Sequence, residues 1–312
     1  MTTFPSLKRL GPARDQEGMP CLTVDRVRER VYCDTSDPAR VEAELTTFYE
    51  HYLADDLDYF AISPEAAPGL YEMLERLPDY TWQGRLLIIA VNGPVSFGME
   101  LTDEQGKPIF YHETFRDAAI KLLTLKTRWL YARFQQAAPG ATVIHRLGEP
   151  LLSLYSSAFA RLGREEVIGS LNACLEAVPG LGSIHCCANI DWPLLMDTAV
   201  DIIDFDAYEF ADRLALYPGE LQTYLDRGGM VSWGLVPANN DKLSGETVDS
   251  LVERFERSVA SWEAHGLDRD QVLDASFIGP SCSLSTMTEE LAERAFDYVC
   301  EVSARLRSRY FG

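Results

Sequence analysis

From residue 58 onward, short runs of β-branched and aromatic residues alternate with longer segments of helical period. The runs are DYFAI (58–62), RLLIIAVNG (85–93), TVIHRL (142–147), GSIHCC (182–187), DIIDFD (201–206), GMVSWGLV (229–236) and ASFIGPSC (275–282). Amphipathic segments between them include 111–137, 164–178, 219–229 and 244–266, the last opened by Ser244 as N-cap and closed at Gly266. Short apolar strands separated by helices predict a parallel sheet covered on both faces. An eighth strand would close that sheet. PCLTV (20–24) is the best candidate, followed by a helix entered through Ser36, Asp37 and Pro38 and running to about Leu53. The pattern therefore predicts a single (β/α)8 TIM barrel over 1–312, with residues 1–57 as the N-terminal segment that completes it. No glycine-rich loop follows an early strand, which speaks against a doubly wound nucleotide-binding sheet.

Composition narrows the partners. With 28 Lys and Arg against 48 Asp and Glu, the chain carries a formal charge of −20, so nucleic acid and anionic membrane surfaces would be repelled. No apolar run reaches the roughly 18–20 residues a bilayer span needs, and the first residues lack the apolar stretch of a secretion signal. The expectation is a cytoplasmic protein. Its 7 cysteines (21, 33, 174, 186, 187, 282 and 300) are odd in number and scattered, which argues against a disulfide framework. Buried free thiols are the default for Cys21, Cys33, Cys174 and Cys300.

In a barrel of this kind, chemistry gathers at the C-terminal ends of the strands. Those ends are polar here: Asn92-Gly93-Pro94-Val95-Ser96, Gly148-Glu149-Pro150, His185-Cys186-Cys187, Asp204-Phe205-Asp206, Trp233-Gly234 and Ser281-Cys282. Side chains alternate along a strand, so His185 and Cys187 share a side while Cys186 faces the other. Cys282 on the last strand could join them. Imidazole and thiolate are zinc ligands, and three of them leave a fourth position for substrate. The plainer alternative is a satisfied buried histidine with cysteines packed in the core. Trp233 and Trp192 face the same choice between pocket lining and core.

Taken together, SIHCCANIDW, DIIDFDAY and IGPSCSL, with NGPVS and GEPLLS, resemble the catalytic barrel of cobalamin-independent methionine synthase and related zinc methyltransferases of the uroporphyrinogen decarboxylase superfamily. The likeness spans most of the chain from about residue 85. It implies Zn2+ held by His185, Cys187 and Cys282, with Asp206 as the acidic neighbour and Glu209 as the alternative. It also implies that Asn92, Ser96 and Glu149 lie toward the substrate, with Asp206 and Glu149 taking part in the chemistry; Trp233, as an aromatic at a strand end, is a further candidate for lining the substrate pocket. Two positions depart from the family pattern. Gly148 stands where an acidic residue would receive the amino group of homocysteine, and WGLVPANN lacks the family's histidine.

The resemblance implies methyl transfer to a small-molecule thiol. A methylated corrinoid protein is the first expectation for the donor and a methyl-folate the second, because the chain has no room for the extra N-terminal barrel that assists folate use in the long synthases. Two other readings stand beside it. A metal-free porphyrinogen decarboxylase would need arginines for several propionates, of which Arg9 and Arg14 could be the first. A non-catalytic barrel that binds a thiol or a corrinoid would share the fold without the reaction.

Overall fold

The computed structural model describes residues 15–156 and 162–312. Arg9 and Arg14 lie outside the described residues. The chain divides into two compact units, Met1–Leu147 with Ala173–Gly180, and Gly148–Asn172 with Leu181–Gly312.

In the first unit the elements are β1 (Leu22–Asp25), β2 (Arg30–Cys33), α1 (Pro38–Leu53), α2 (Pro68–Arg76), β3 (Leu86–Asn92), α3 (Pro94–Glu100), α4 (Glu113–Ala137) and β4 (Thr142–Gly148). The helix expected after Ser36 is α1. Asp37 caps it by accepting from the N–H groups of Ala39 and Arg40, and Pro38 sits in the first turn. The expected strands at 85–93 and 142–147 are β3 and β4, hydrogen-bonded neighbours joined by the 25-residue α4. A helical crossover of that length is what adjacent parallel strands require.

Two expectations fail in this unit. PCLTV supplies β1, but β1 pairs antiparallel with β2, Leu22 opposite Cys33 and Asp25 opposite Arg30. The reason is local: the Asp25 carboxylate accepts from the N–H groups of Val27 and Arg28 at 2.9 and 3.0 Å, reversing the chain at once. DYFAI forms turns, with the N–H of Phe60 donating to Leu57 O and that of Ala61 to Asp58 O, both at 3.2 Å. Its apolar residues serve packing instead, Phe60 lying edge-on to Phe48 of α1 at 5.4 Å. Among the described residues the parallel strands therefore number six, and the closed eight-stranded barrel is not formed.

The second unit continues with α5 (Arg164–Leu175), β5 (Leu181–Cys186), α6 (Trp192–Met196), β6 (Ile202–Phe205), α7 (Ala207–Leu214), α8 (Pro218–Asp226), β7 (Met230–Val236), α9 (Asn240–Ser244), α10 (Val248–Ala264), α11 (Arg269–Asp274), β8 (Ser276–Pro280) and α12 (Glu289–Tyr310). The four strands lie parallel in chain order. The helix expected over 244–266 is α10, which starts later than expected. Ser244 ends α9, and α10 starts from Thr247, which forms a reciprocal capping box with Ser250.

Parallel register sorts the side chains into two sets. Cys186, Phe205, Trp233 and Ile278 are in line across β5 to β8. Phe205 and Trp233 of this row meet the helices: the Trp233 ring lies 5.7 Å from Phe205, 5.1 Å from Phe255 and 4.3 Å from Trp262, and Phe205 is 5.6 Å from Trp192. All these aromatic rings are buried. One residue earlier, His185, Asp204, Ser232 and Phe277 form the neighbouring row and face the other way. Trp262 anchors α10 to this core, and its Nε1–H donates to Ala211 O at 3.0 Å. Trp262→Ala should cost about 3–5 kcal/mol, read as a lowered urea midpoint, whereas Phe296→Ala, at an exposed position, should leave the midpoint nearly unchanged.

Candidate metal centre

His185, Cys187 and Cys282 come together at the C-terminal ends of β5 and β8, with one ligand atom from each lying within 4.8 Å of the other two. His185 is the fifth residue of β5 and Cys187 follows the strand's end, so alternation places both on one side. Cys186 takes the opposite side, is fully buried, and has its thiol pushed up to about 12, chiefly by burial.

Cys282 arrives by a tertiary route. Beyond β8, the N–H of Ser281 donates to Val236 O at 2.8 Å, and the Ser281 hydroxyl accepts from the N–H of Ala238 at 3.0 Å. These bonds hold the chain against the end of β7. The approach is possible because residue 234 is glycine: a Cβ there would stand 2.5 Å from Phe205 O and 2.7 Å from the Cα of Ser281.

The register of β5 on β6 puts His185 beside Asp204. His185 Nδ1 lies 3.0 Å from the Asp204 carboxylate, which is 4% exposed. A carboxylate at Nδ1 fixes the N–H on that nitrogen and leaves Nε2 as the electron-pair donor, the tautomer a metal ligand needs. Asp204 was visible in DIIDFD as a polar strand residue but received no role there. Its signal was shared parity with Asp206 together with the strand pairing, and the pairing is not readable from sequence.

The thiols divide one proton between them. The Cys282 thiol is lowered to about 4, first by the hydrogen bond it accepts from Cys187 and then by the neighbouring His185, while the contact with Cys282 raises the Cys187 thiol. Two sulfurs and an imidazole are soft and borderline donors of the kind zinc takes. Bonds of about 2.0–2.3 Å in a tetrahedron would set the ligand atoms about 3.3–3.8 Å apart. The three candidate ligand atoms lie within 4.8 Å of one another.

The remaining expected site residues fall elsewhere. Asp206 is outside the three-residue cluster; it caps α7 by accepting from the N–H of Glu209 at 3.0 Å. Burial pushes its carboxyl up to about 6, and the Cys282 charge adds to that effect. Glu209 is an exposed residue of the first turn of α7, paired with Lys242 at 2.5 Å. Glu149 is fully buried and near enough to raise the Cys186 thiol; its backbone N–H donates to His185 O at 2.8 Å. Trp233 has no exposed surface, and its Nε1–H donates to Ser276 Oγ at 2.9 Å within the aromatic core. In the first unit, Ser96 is buried in α3, and the backbone N–H of Asn92 donates to the Asp15 carboxylate at 2.9 Å.

No protein-family profile matches the sequence, and no curated protein does. Among solved structures, the chain is similar to a protein from Listeria monocytogenes named a "putative vitamin-B12 independent methionine synthase". The two share 14% identity at a TM-score of 0.47, over 72% of this chain and 64% of the other, so the chain spans less than two thirds of that protein's length. The likeness is remote, and the functional reading below rests on the site's own residues. No helix among the described residues is long and apolar enough to cross a membrane.

In metal-free protein, Cys282 should be alkylated by iodoacetamide at a rate that holds steady from pH 8 down to pH 6, where an ordinary thiol of pKa about 8.5 has lost nearly all its thiolate. His185→Gln should shift the fall-off toward higher pH, because a neighbour that favours the thiolate is lost. Mass spectrometry of the labelled peptide reads both effects.

Proposed function

We propose that this protein is a zinc-dependent methyltransferase that moves a methyl group from a methylcorrinoid or methyl-folate donor to a small-molecule thiol. The observation that carries this reading is the convergence of His185, Cys187 and Cys282 with Asp204 behind the histidine. In it, those three residues would hold the ion and leave one position open to the substrate sulfur.

Zinc, when bound, supplies a Lewis acid that lets a thiol give up its proton near neutral pH. The protein residues do the rest. Asp204 holds His185 as the Nδ1–H tautomer. Cys187 and Cys282 bring two negative charges, which keep the substrate sulfur electron-rich. Asp206, its carboxyl raised to about 6 chiefly by burial, is near enough to Cys282 to feel its charge. The thiol proton passes to solvent. The substrate sulfur then forms its bond to the methyl carbon as the bond to the donor breaks, and the donor keeps that electron pair.

Purified protein should carry one zinc per chain. Cys187→Ala and Cys282→Ala should each remove most of it, while Cys186→Ala, changed on the other side of β5, should retain it. Equal loss in all three would overturn the ligand assignment. Thiol binding to the zinc form at pH 7 should release close to one proton per site, counted by calorimetry in buffers of different ionisation enthalpy. A count near zero with thiol bound would sink the proposed chemistry. A further expectation follows from Gly148: methylcobalamin assays should show homocysteine to be no better than thiols without an α-amino group.

A further inference from the structure

We propose that a groove formed by β8, α10, α11 and α12 is a second binding site, one that takes a small amphipathic anion: a monocarboxylate with a short alkyl tail. A cavity of about 250 Å³ opens between these elements, floored by the buried Phe255, Leu273 and Leu306. Beside it lies a more open depression of about 530 Å³ along α12. Ile278, Ser303 and Arg307 line both, so they mark the junction.

Charge selects the occupant. On α12, Arg305 pairs with Asp249 and Arg309 with Glu256, but Arg307 makes no ion pair among the described residues. Among the described residues Asp274 is the one acidic side chain lining the cavity, and no acidic side chain lines the open depression, which Gly312 borders. A negative head group is therefore repelled from the Asp274 compartment and drawn to the junction, where Arg307 offers its planar N–H fork and Ser303 a hydroxyl. The apolar floor behind them takes the tail. The inner volume is slightly below the roughly 300–1,000 Å³ of ordinary ligand pockets, which restricts that tail to a short chain. None of the metal-centre residues lines this groove, so the site stands independently of the methyltransferase reading.

Octanoate is the probe, and Trp233 supplies a signal because its Nε1–H is bonded to Ser276, which lines the cavity, and its ring packs on Phe255. Titration should give saturable binding of one octanoate per chain by calorimetry, with a parallel change in tryptophan emission. Arg307→Ala should weaken octanoate about tenfold or more, the effect of losing a hydrogen-bonded charge partner, while 1-octanol binding should change little. Ser303→Trp, which fills the junction, should abolish both, with circular dichroism checking that the fold persists. Absence of saturable octanoate binding by the unmodified protein, or equal affinity in the Arg307→Ala variant, would overturn the proposal.

Discussion

The candidate centre depends above all on the parallel register of β5 against β6. Pairing His185 with Asp204 gives the imidazole a carboxylate at Nδ1 and frees Nε2 for a metal. The same register aligns Cys186 with Phe205 and Trp233 on the opposite side. A slip of one residue would bury the histidine among tryptophans and turn Cys186 toward the site. Burial of large rings therefore enforces ligand geometry: the aromatic row cannot leave the core without losing several kcal/mol per ring, about 3–5 on the scale of aromatic truncations.

A second constraint brings in the third ligand. Cys282 is distant in sequence from the His-x-Cys pair, and its place is fixed by hydrogen bonds of Ser281 to the end of β7 and by the missing side chain at Gly234. The contact is made by the N–H and the hydroxyl of Ser281, so the loop is held without demanding a particular side chain at 282. That residue is left available for chemistry, and its thiolate is stabilised by its neighbours before any ion is present.

The acidic groups near the centre divide their tasks by environment. Asp204 is buried against His185, Asp206 caps α7, and Glu209 is neutralised by Lys242 at the surface. Capping occupies one carboxylate oxygen of Asp206 and leaves the other out of the cap. Trp233, by contrast, has its only polar atom bonded to Ser276 and its ring enclosed, which ties it to the core.

Much of the architecture was legible in the sequence. Six strand positions, the long helix between β3 and β4, the Asp37-Pro38 helix start and the opposed facing of His185 and Cys186 all follow from period, capping and alternation, which act over a few residues. DYFAI and PCLTV misled because an apolar, β-prone run does not say what it packs against. Phe60 was taken up by Phe48, and Asp25 turned β1 back onto β2. Ser244 lost the cap to a box between Thr247 and Ser250 whose strength lies in two reciprocal bonds. The role of Asp204, the clamp at Ser281, the close approach over Gly234 and the enclosure of Trp233 were decided only by tertiary structure. Each depends on which residue of one strand lies opposite which residue of the next, and that register is set by packing across the whole sheet.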